Sequence, residues 1–368
     1  MAVKSKKDTP AEPKTRTAGN TRPRKSYVDF QKILAKTGHA NRAPEITNHL
    51  PTGLTLVDAM LGNGFPGGRF AMVHGEENTF KSAWTYHMAA IAQQMGGMVW
   101  IDDREDKFND GNASINGFDY KADNVCYTQT KNAEEYLSLL DNWLEVGRES
   151  PVPMVHFYDS LGAISTKQQQ ETTTEHPMSV AKKLASWLST SDLQNLSNAQ
   201  VYPIWMNQQR DGIDFFSYGP PKPKLPGGRA AKFKTATRMK MSVQALGQND
   251  KDKSVLAPVG KLVKFSVEKS CTSPDGRWAF VPYFYHFGFD DGLSCLNYLI
   301  GMKYIRKGTE DGTKLKYGIE GAFHSKGEWR ALFYEDPGVR REIRAMTRRA
   351  YILDNTFQGG EAEADGEE

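Results

Sequence analysis

The chain has 368 residues and a mass of 41.2 kDa, with 39% apolar and 25% charged side chains. That allows a large core with appendages, and no apolar run approaches the ~18–20 residues of a membrane-spanning helix. Three widely spaced cysteines, Cys126, Cys271 and Cys295, exclude a disulfide framework or a cysteine zinc knuckle. The net charge of +3 conceals two opposed ends: residues 1–25 hold eight Lys/Arg against two acids, and residues 361–368 hold five acids and no base. Such ends attend proteins that handle nucleic acid, but composition alone favours plain solvated termini. With no apolar stretch after Met1, a cytoplasmic protein is expected.

Residues 1–25, rich in Pro, Lys and Thr, read as a disordered basic arm. Residues 26–45 hold one amphipathic helix and a linker: Ser26 is a cap, Tyr27, Phe30, Ile33 and Leu34 share a face, and Gly38 is the stop. So short a helix has no core of its own and is expected to dock on its own domain or on a neighbouring subunit. From 46 to 290, apolar runs alternate with helical periods. Strands are predicted at 69–74, 97–102, 152–159 and 201–206, and helices at 81–95, 133–146 and 180–196. Apolar runs of this length between helices indicate buried parallel strands, hence an α/β sheet covered on both faces. Beyond Thr235 the period shifts to 2 around Met239, Leu262–Val267 and Trp278–Phe287, which predicts an antiparallel extension. Residues 291–355 read as a small α+β subdomain with short helices and a Gly-rich hairpin, and 356–368 as an acidic disordered tail.

The first strand runs into Gly75-Glu76-Glu77-Asn78-Thr79-Phe80-Lys81-Ser82 and then a helix. This is a phosphate-binding loop with Phe80 where the second glycine belongs. Backbone N–H groups and a helix N-terminus suit phosphates, Lys81 suits the β/γ-phosphates and the Ser82 hydroxyl suits magnesium, so ATP and Mg2+ are the expected cofactors. A nucleotide hydrolase also needs acids at the ends of neighbouring strands. Asp159 ends one in the form of a Walker B acid, although a strand-end Asp also serves as a helix cap. Asp102-Asp103-Arg104-Glu105 ends another and offers a carboxylate to activate water. Trp84, Met88 and Met95 on the loop's helix read as core. The eight histidines form no metal-binding pair.

From Arg210 to Lys234 the chain lacks secondary-structure signals. It mixes Phe215, Phe216 and Tyr218 with Lys222, Lys224, Arg229 and Lys232, and ends in Gly227-Gly228. Cations for phosphates and ring faces for unstacked bases are what a single-strand binding loop uses. A Pro-rich linker is the alternative.

These residues together resemble the RecA recombinases, and among them the UvsX-type phage enzymes. The resemblance rests on IDDRE at 101–105, FYDSLGAIS at 157–165, WMNQQR at 205–210, PGGRAAKF at 226–233, VEKS at 267–270 and the Phe-Lys-Ser ending of the phosphate loop. It implies a RecA-type ATPase core with DNA-binding loops over residues 46–290, an oligomerisation helix before it and a small subdomain after it. Lys81 and Ser82 would hold phosphates and magnesium, with Asp159 the Walker B acid. Glu105 would be the water-activating glutamate, with Asp102 as a rival register. Gln208 would sense the γ-phosphate, and Lys269 would reach a neighbouring subunit's ATP. The family's second such basic residue falls near Cys271, which is not basic. Residues 210–234 would be the second DNA loop and Ser165–Met178 the first. The implied function is an ATP-dependent recombinase that forms helical filaments on single-stranded DNA and exchanges strands with homologous duplex. Single-strand-binding and mediator proteins are expected as partners, with no membrane. The rivals are a hexameric helicase on the same core and a weakly hydrolysing, DNA-binding filament or mediator protein, the latter favoured by Phe80 and Cys271.

Overall fold

The computed structural model describes residues 46–361 apart from 168, 170–177, 191–195, 197, 212–222, 225, 227, 247–258, 311–313 and 320–321, together with Lys32 and Lys36. Residues 1–45 form a unit of their own. The arm and most of the helix expected there lie outside the described residues, as does the tail from 362 onward. The last helix runs through Glu361, past the tail boundary expected at 356.

The core is a nine-stranded sheet. In chain order its strands are β1 (Ala71–Gly75), β2 (Met98–Asp103), β3 (Val125–Thr128), β4 (Met154–Asp159), β5 (Val201–Gln208), β6 (Thr237–Ala245), β7 (Gly260–Lys269), β8 (Trp278–Phe284) and β9 (Gly288–Phe289). Their order across the sheet is β9-β8-β7-β6-β1-β5-β4-β2-β3. The strands from β6 to β3 run parallel, and β7 to β9 extend the sheet antiparallel. The helices are α1 (Thr55–Leu61), α2 (Lys81–Gln94), α3 (Asp110–Ile115), α4 (Ala133–Gly147), α5 (Met178–Thr190), α6 (Gly228–Lys234), α7 (Asp291–Gly301), α8 (Lys326–Glu335) and α9 (Pro337–Glu361).

Strand periodicity divides the core cleanly in two. Val73, Val99, Ile101, Val155, Phe157, Ile204 and Met206 point to one face, where α1 and α2 bury Leu56, Trp84 and Met88. The alternate residues Met72, Trp100, Tyr158 and Trp205 meet Tyr136 and Leu140 of α4 and Leu184 and Trp187 of α5 on the other. Both side-chain sets are apolar because both faces are covered, which is why the strands read as continuous runs. Trp84, fully buried against Phe265 at 5.0 Å between centroids, is the largest plug on the first face. Met95, expected in the core, is 43% exposed, because α2 ends at Gln94 and turns away through Gly96.

Four other departures have physical causes. β6 pairs parallel to β1, since alternation at Met239, Met241 and Val243 marks a strand without fixing its direction. Residues 228–234 form a helix in the stretch read as lacking structure. β3 is a short, half-exposed edge strand whose composition gives no run. The C-terminal part holds a third antiparallel strand beside the expected hairpin, and a helix of 25 residues where short helices were expected.

That C-terminal part has its own core of Leu296, Leu299, Trp329, Phe333 and Ile343, and it is tied to the sheet by buried charge. Asp290, fully buried, caps α7 through Leu293 N–H at 2.8 Å and accepts from Tyr334 Oη at 2.9 Å and from Arg330. Its neighbour Asp291 accepts from Thr55 N–H (2.6 Å) and Thr55 Oγ1 (2.9 Å) of α1 and from Arg344 Nε (2.9 Å) of α9. Asp58 accepts from Thr52 N–H at 2.6 Å and lies 3.8 Å from Arg348. Burial pushes Asp58 up to about 6 despite these donors, and raises Asp291 as well.

Candidate nucleotide site and the segment beside it

Parallel pairing brings the carboxyl ends of four strands level. Gly75 of β1 stands opposite Gln208 of β5, and Asp103 of β2 opposite Asp159 of β4. The chain leaving β1 must turn sharply into α2. A Cβ on Gly75 would lie 2.4 Å from the Met241 carbonyl oxygen, so only glycine fits there. Asn78 (φ 57°) and Phe80 (φ 64°) adopt the left-handed conformation, which for a side chain like that of Phe costs about 1–2 kcal/mol. Lys81 Nζ reaches back to the carbonyl oxygens of Gly75 (3.2 Å) and Glu76 (2.5 Å) and to Thr79 Oγ1 (3.3 Å). The loop is thus wrapped around one ammonium group at the head of a helix. Burial lowers the Lys81 pKa, opposed by the charges of Asp159 and Glu105.

Beyond the lysine stand the acids. Ser82 Oγ lies 3.5 Å from Asp159 Oδ2, a hydroxyl and a carboxylate on one side of the cavity. Burial, then the charges of Glu105 and Asp103, push the Asp159 carboxyl up to about 6. Glu105 accepts from Ser160 Oγ and from Lys107 Nζ (2.5 Å). Burial works against its ionisation, but the Lys107 and Ser160 hydrogen bonds outweigh burial and hold it below its ordinary value. Asp102 is fully buried and accepts from Thr130 N–H at 3.2 Å, away from the cavity. Asp103 instead fixes the turn, accepting from the N–H groups of Glu105, Lys107 and Phe108. Of the two registers open in the sequence, the one that reaches the cavity is Glu105.

The cavity of about 540 Å³ is lined by Glu77 to Ser82, Glu105, Asp159 and Gln208, and also by Lys107, Asn112, Lys261 and Tyr285. The last four carry no motif in the sequence. Tyr285, 43% exposed, follows β8, and Lys261 lies at the start of β7; only strand pairing places them here. Gln208 Nε2 donates to Glu77 Oε1 at 2.6 Å, joining β5 to the loop. Its neighbour Asn207, fully buried, points to the other face and donates to the Pro226 carbonyl at 2.9 Å, just before α6. Adjacent residues of one strand therefore hold the phosphate loop and the basic segment.

Of that segment, Arg210 and Lys224 pair in a two-residue antiparallel ladder, and Gly228, Arg229 and Lys232 lie in α6. Phe215, Phe216, Tyr218, Lys222 and Gly227 lie outside the described residues, as does most of Ser165–Met178. Lys269 is not in the cavity. It sits at the opposite end of β7 from Lys261 and donates to the Phe233 carbonyl at 2.7 Å, beside a Phe233 side chain that is 75% exposed. Glu268 beside it accepts from Arg238 Nε at 2.8 Å and lies 3.0 Å from His74 Nε2. The His74 contact, then Arg238, hold its carboxyl down to about 2.

The RecA N-terminal domain model matches residues 30–290. The chain belongs to the RecA family. Among its relatives, the protein RecA of Campylobacter lari is 26% identical over 329 residues, covering 88% of this chain and 90% of its own length. That of Lactobacillus johnsonii is 25% identical over 307 residues (83% and 81%), and that of Chlorobaculum parvum 27% over 305 residues (81% and 82%). The mixed, mostly parallel sheet with helices on both faces is the RecA-type α/β fold expected from the sequence. Among the described residues of this RecA-family chain, no helix is long and apolar enough to cross a membrane.

The raised Asp159 pKa has a testable sign. The carboxyl ordinarily titrates near 3.8 and is held at about 6 in the folded chain. The nucleotide-free fold therefore loses stability as pH rises between those values. Asp159→Asn is expected to raise the thermal midpoint near pH 8 and to raise it much less near pH 4, at the lower end of that window, where the folded wild type keeps its proton and the unfolded chain keeps much of its own. Equal shifts at both pH values would contradict a buried, repelled carboxylate.

Proposed function

We propose that this RecA-family chain is an ATP-dependent recombinase of the UvsX phage type, which forms helical filaments on single-stranded DNA and exchanges strands with homologous duplex. The observation that carries the reading is the pair Asn207 and Gln208, which links the phosphate loop to the basic segment through two successive side chains. The fit to a nucleoside triphosphate rests on Lys81, whose three loop acceptors can exchange for phosphate oxygens, and on the facing Ser82 hydroxyl and Asp159 carboxylate, which suit Mg2+. Bound there, Mg2+ would neutralise phosphate charge.

In this reading the amides of Gly75 to Phe80 and Lys81 hold phosphates, and Ser82 and Asp159 hold the metal. Glu105, kept ionised by Lys107 and Ser160, accepts a proton from the attacking water. Gln208 reports the γ-phosphate, and Lys269 reaches the nucleotide of the next subunit from the far end of β7. Arg210, Phe215, Phe216, Tyr218, Lys222, Lys224, Gly227, Gly228, Arg229 and Lys232 contact DNA, with base pairing rather than protein reading the sequence. The domain plan is a basic arm (1–25), a docking helix (26–45), the ATPase core (46–290), a subdomain (291–355) and an acidic tail (356–368). Partners include single-strand-binding and mediator proteins in the cytoplasm of the host.

ATPase rates with and without single-stranded DNA, with negative-stain images of the same samples, test the whole. DNA-stimulated hydrolysis and helical filaments are expected. Closed rings would favour the helicase, and filaments with negligible hydrolysis the mediator, the reading that exposed Cys271 in place of a base supports.

A further inference from the structure

Lys81, Ser82 and the loop amides account for phosphate binding, and they leave Phe80 without a purpose. A glycine at this place would adopt the left-handed backbone freely, whereas Phe80 adopts it at φ 64° and ψ 27° against its own Cβ. Something must hold it there. Its ring lies 4.3 Å from that of Tyr283, inclined by 33°, and 6.0 Å from that of Tyr285. Tyr283 is itself fixed: it is 3% exposed, its hydroxyl donates to Asn112 Oδ1 at 3.2 Å, and its ring packs on Phe289 at 4.9 Å. Tyr285 stands on the rim of the cavity that Phe80 also lines.

We infer that Phe80 is a positioning residue that clamps the phosphate loop to the end of β8. The cradle for the phosphates and the aromatic rings of Tyr283 and Tyr285 then move as one body. The clamp replaces backbone freedom by ring packing. A loop closed by glycine can sample many shapes when empty, while this loop is held near one shape by a contact outside itself. The preorganised cradle lowers the cost of ordering the loop around a nucleoside di- or triphosphate. This rests on the nucleotide-site reading above, but the clamp itself exists in the empty chain and can be measured there.

The experiment compares the wild-type chain with Phe80→Gly, Phe80→Tyr and Tyr283→Leu. Phe80→Gly removes ring and strain together, so strain cannot unfold it. In nucleotide-free protein, amide hydrogen exchange across residues 76–80 is expected to speed up in Phe80→Gly and in Tyr283→Leu, and to stay near wild type in Phe80→Tyr. In steady-state hydrolysis, KM for ATP is expected to rise about tenfold in Phe80→Gly, equivalent to ~1.4 kcal/mol, with a smaller fall in kcat. Phe80→Tyr should return KM towards the wild-type value. A purely structural defect would reduce the active fraction, and hence kcat, without moving KM. Wild-type exchange across the loop in Phe80→Gly would overturn the clamp. If the wild-type chain bound no ATP, the nucleotide reading would fail, and the exchange rates alone would decide the role of the ring.

Discussion

Lys81→Ala is expected to abolish ATP hydrolysis, lowering turnover by at least a factor of about 100–1,000. The ammonium group is the one positive charge wrapped by the loop, with three acceptors within 3.3 Å, and Lys107 is already paired with Glu105 at 2.5 Å. Lys107 and Lys261, the other lysines lining the cavity among the described residues, are not wrapped by the loop's carbonyls as Lys81 is. The variant also takes one of two donors from each of the Gly75 and Glu76 carbonyls, which keep Gln209 N–H and Thr79 Oγ1, so the empty loop should loosen as well. Steady-state hydrolysis in the presence of single-stranded DNA, with ATP binding by equilibrium dialysis, checks both effects. Turnover at the wild-type rate would remove the phosphate-loop assignment.

Gln208→Ala should act differently, breaking communication and sparing binding. In the nucleotide-free chain the Gln208 amide is held by Glu77. A γ-phosphate that attracts this amide must draw it from Glu77, and the movement is shared by Asn207, which holds Pro226 at the head of α6. The variant keeps Lys81, Ser82 and the loop amides, so ATP should still bind. It should lose the ATP-induced rise in single-strand affinity, an effect of about 5–150-fold for a typical coupling of ~1–3 kcal/mol. Replacing Phe215, Phe216 and Tyr218 with Ala should instead weaken DNA binding in every nucleotide state, by about 1–3 kcal/mol for each ring that stacks on a base. Fluorescence anisotropy of a labelled oligonucleotide with ATP, ADP and no nucleotide separates the two. Full ATP-dependent binding by Gln208→Ala would refute the sensor role.

What could be read from the sequence follows the range of each signal. The phosphate loop, its helix and Asp159 are local, and a strand, a turn and a helix written in consecutive residues fix them. The choice between Asp102 and Glu105 was not local. It depends on which carboxylate the turn after β2 throws inward, and Asp103, taking three backbone donors, decides that. Tyr285, Lys261 and Asn112 come to the cavity only through antiparallel pairing at a sheet edge and through α3, elements whose register no periodicity reveals. The helix at 228–234 was hidden because Gly227-Gly228 and the preceding prolines read as breakers, although Gly228 (φ 73°) serves as its left-handed entry against Ala181 of α5.

The paired carboxylates Asp290 and Asp291 bear on how this protein can be dissected. The family match ends at residue 290, and composition suggests cutting there to obtain a free-standing ATPase. Such a cut would leave Asp290 without its cation on one fragment, while Asp291 kept Arg344 on the other. Asp290 would stay with the core without Arg330 and Tyr334, and Asp291 would leave with the other piece, taking from Thr55 the acceptor for its N–H and hydroxyl. The boundary drawn by homology is a bolt rather than a seam. A truncation meant to isolate the motor is better placed after α9, or accompanied by Asp290→Asn.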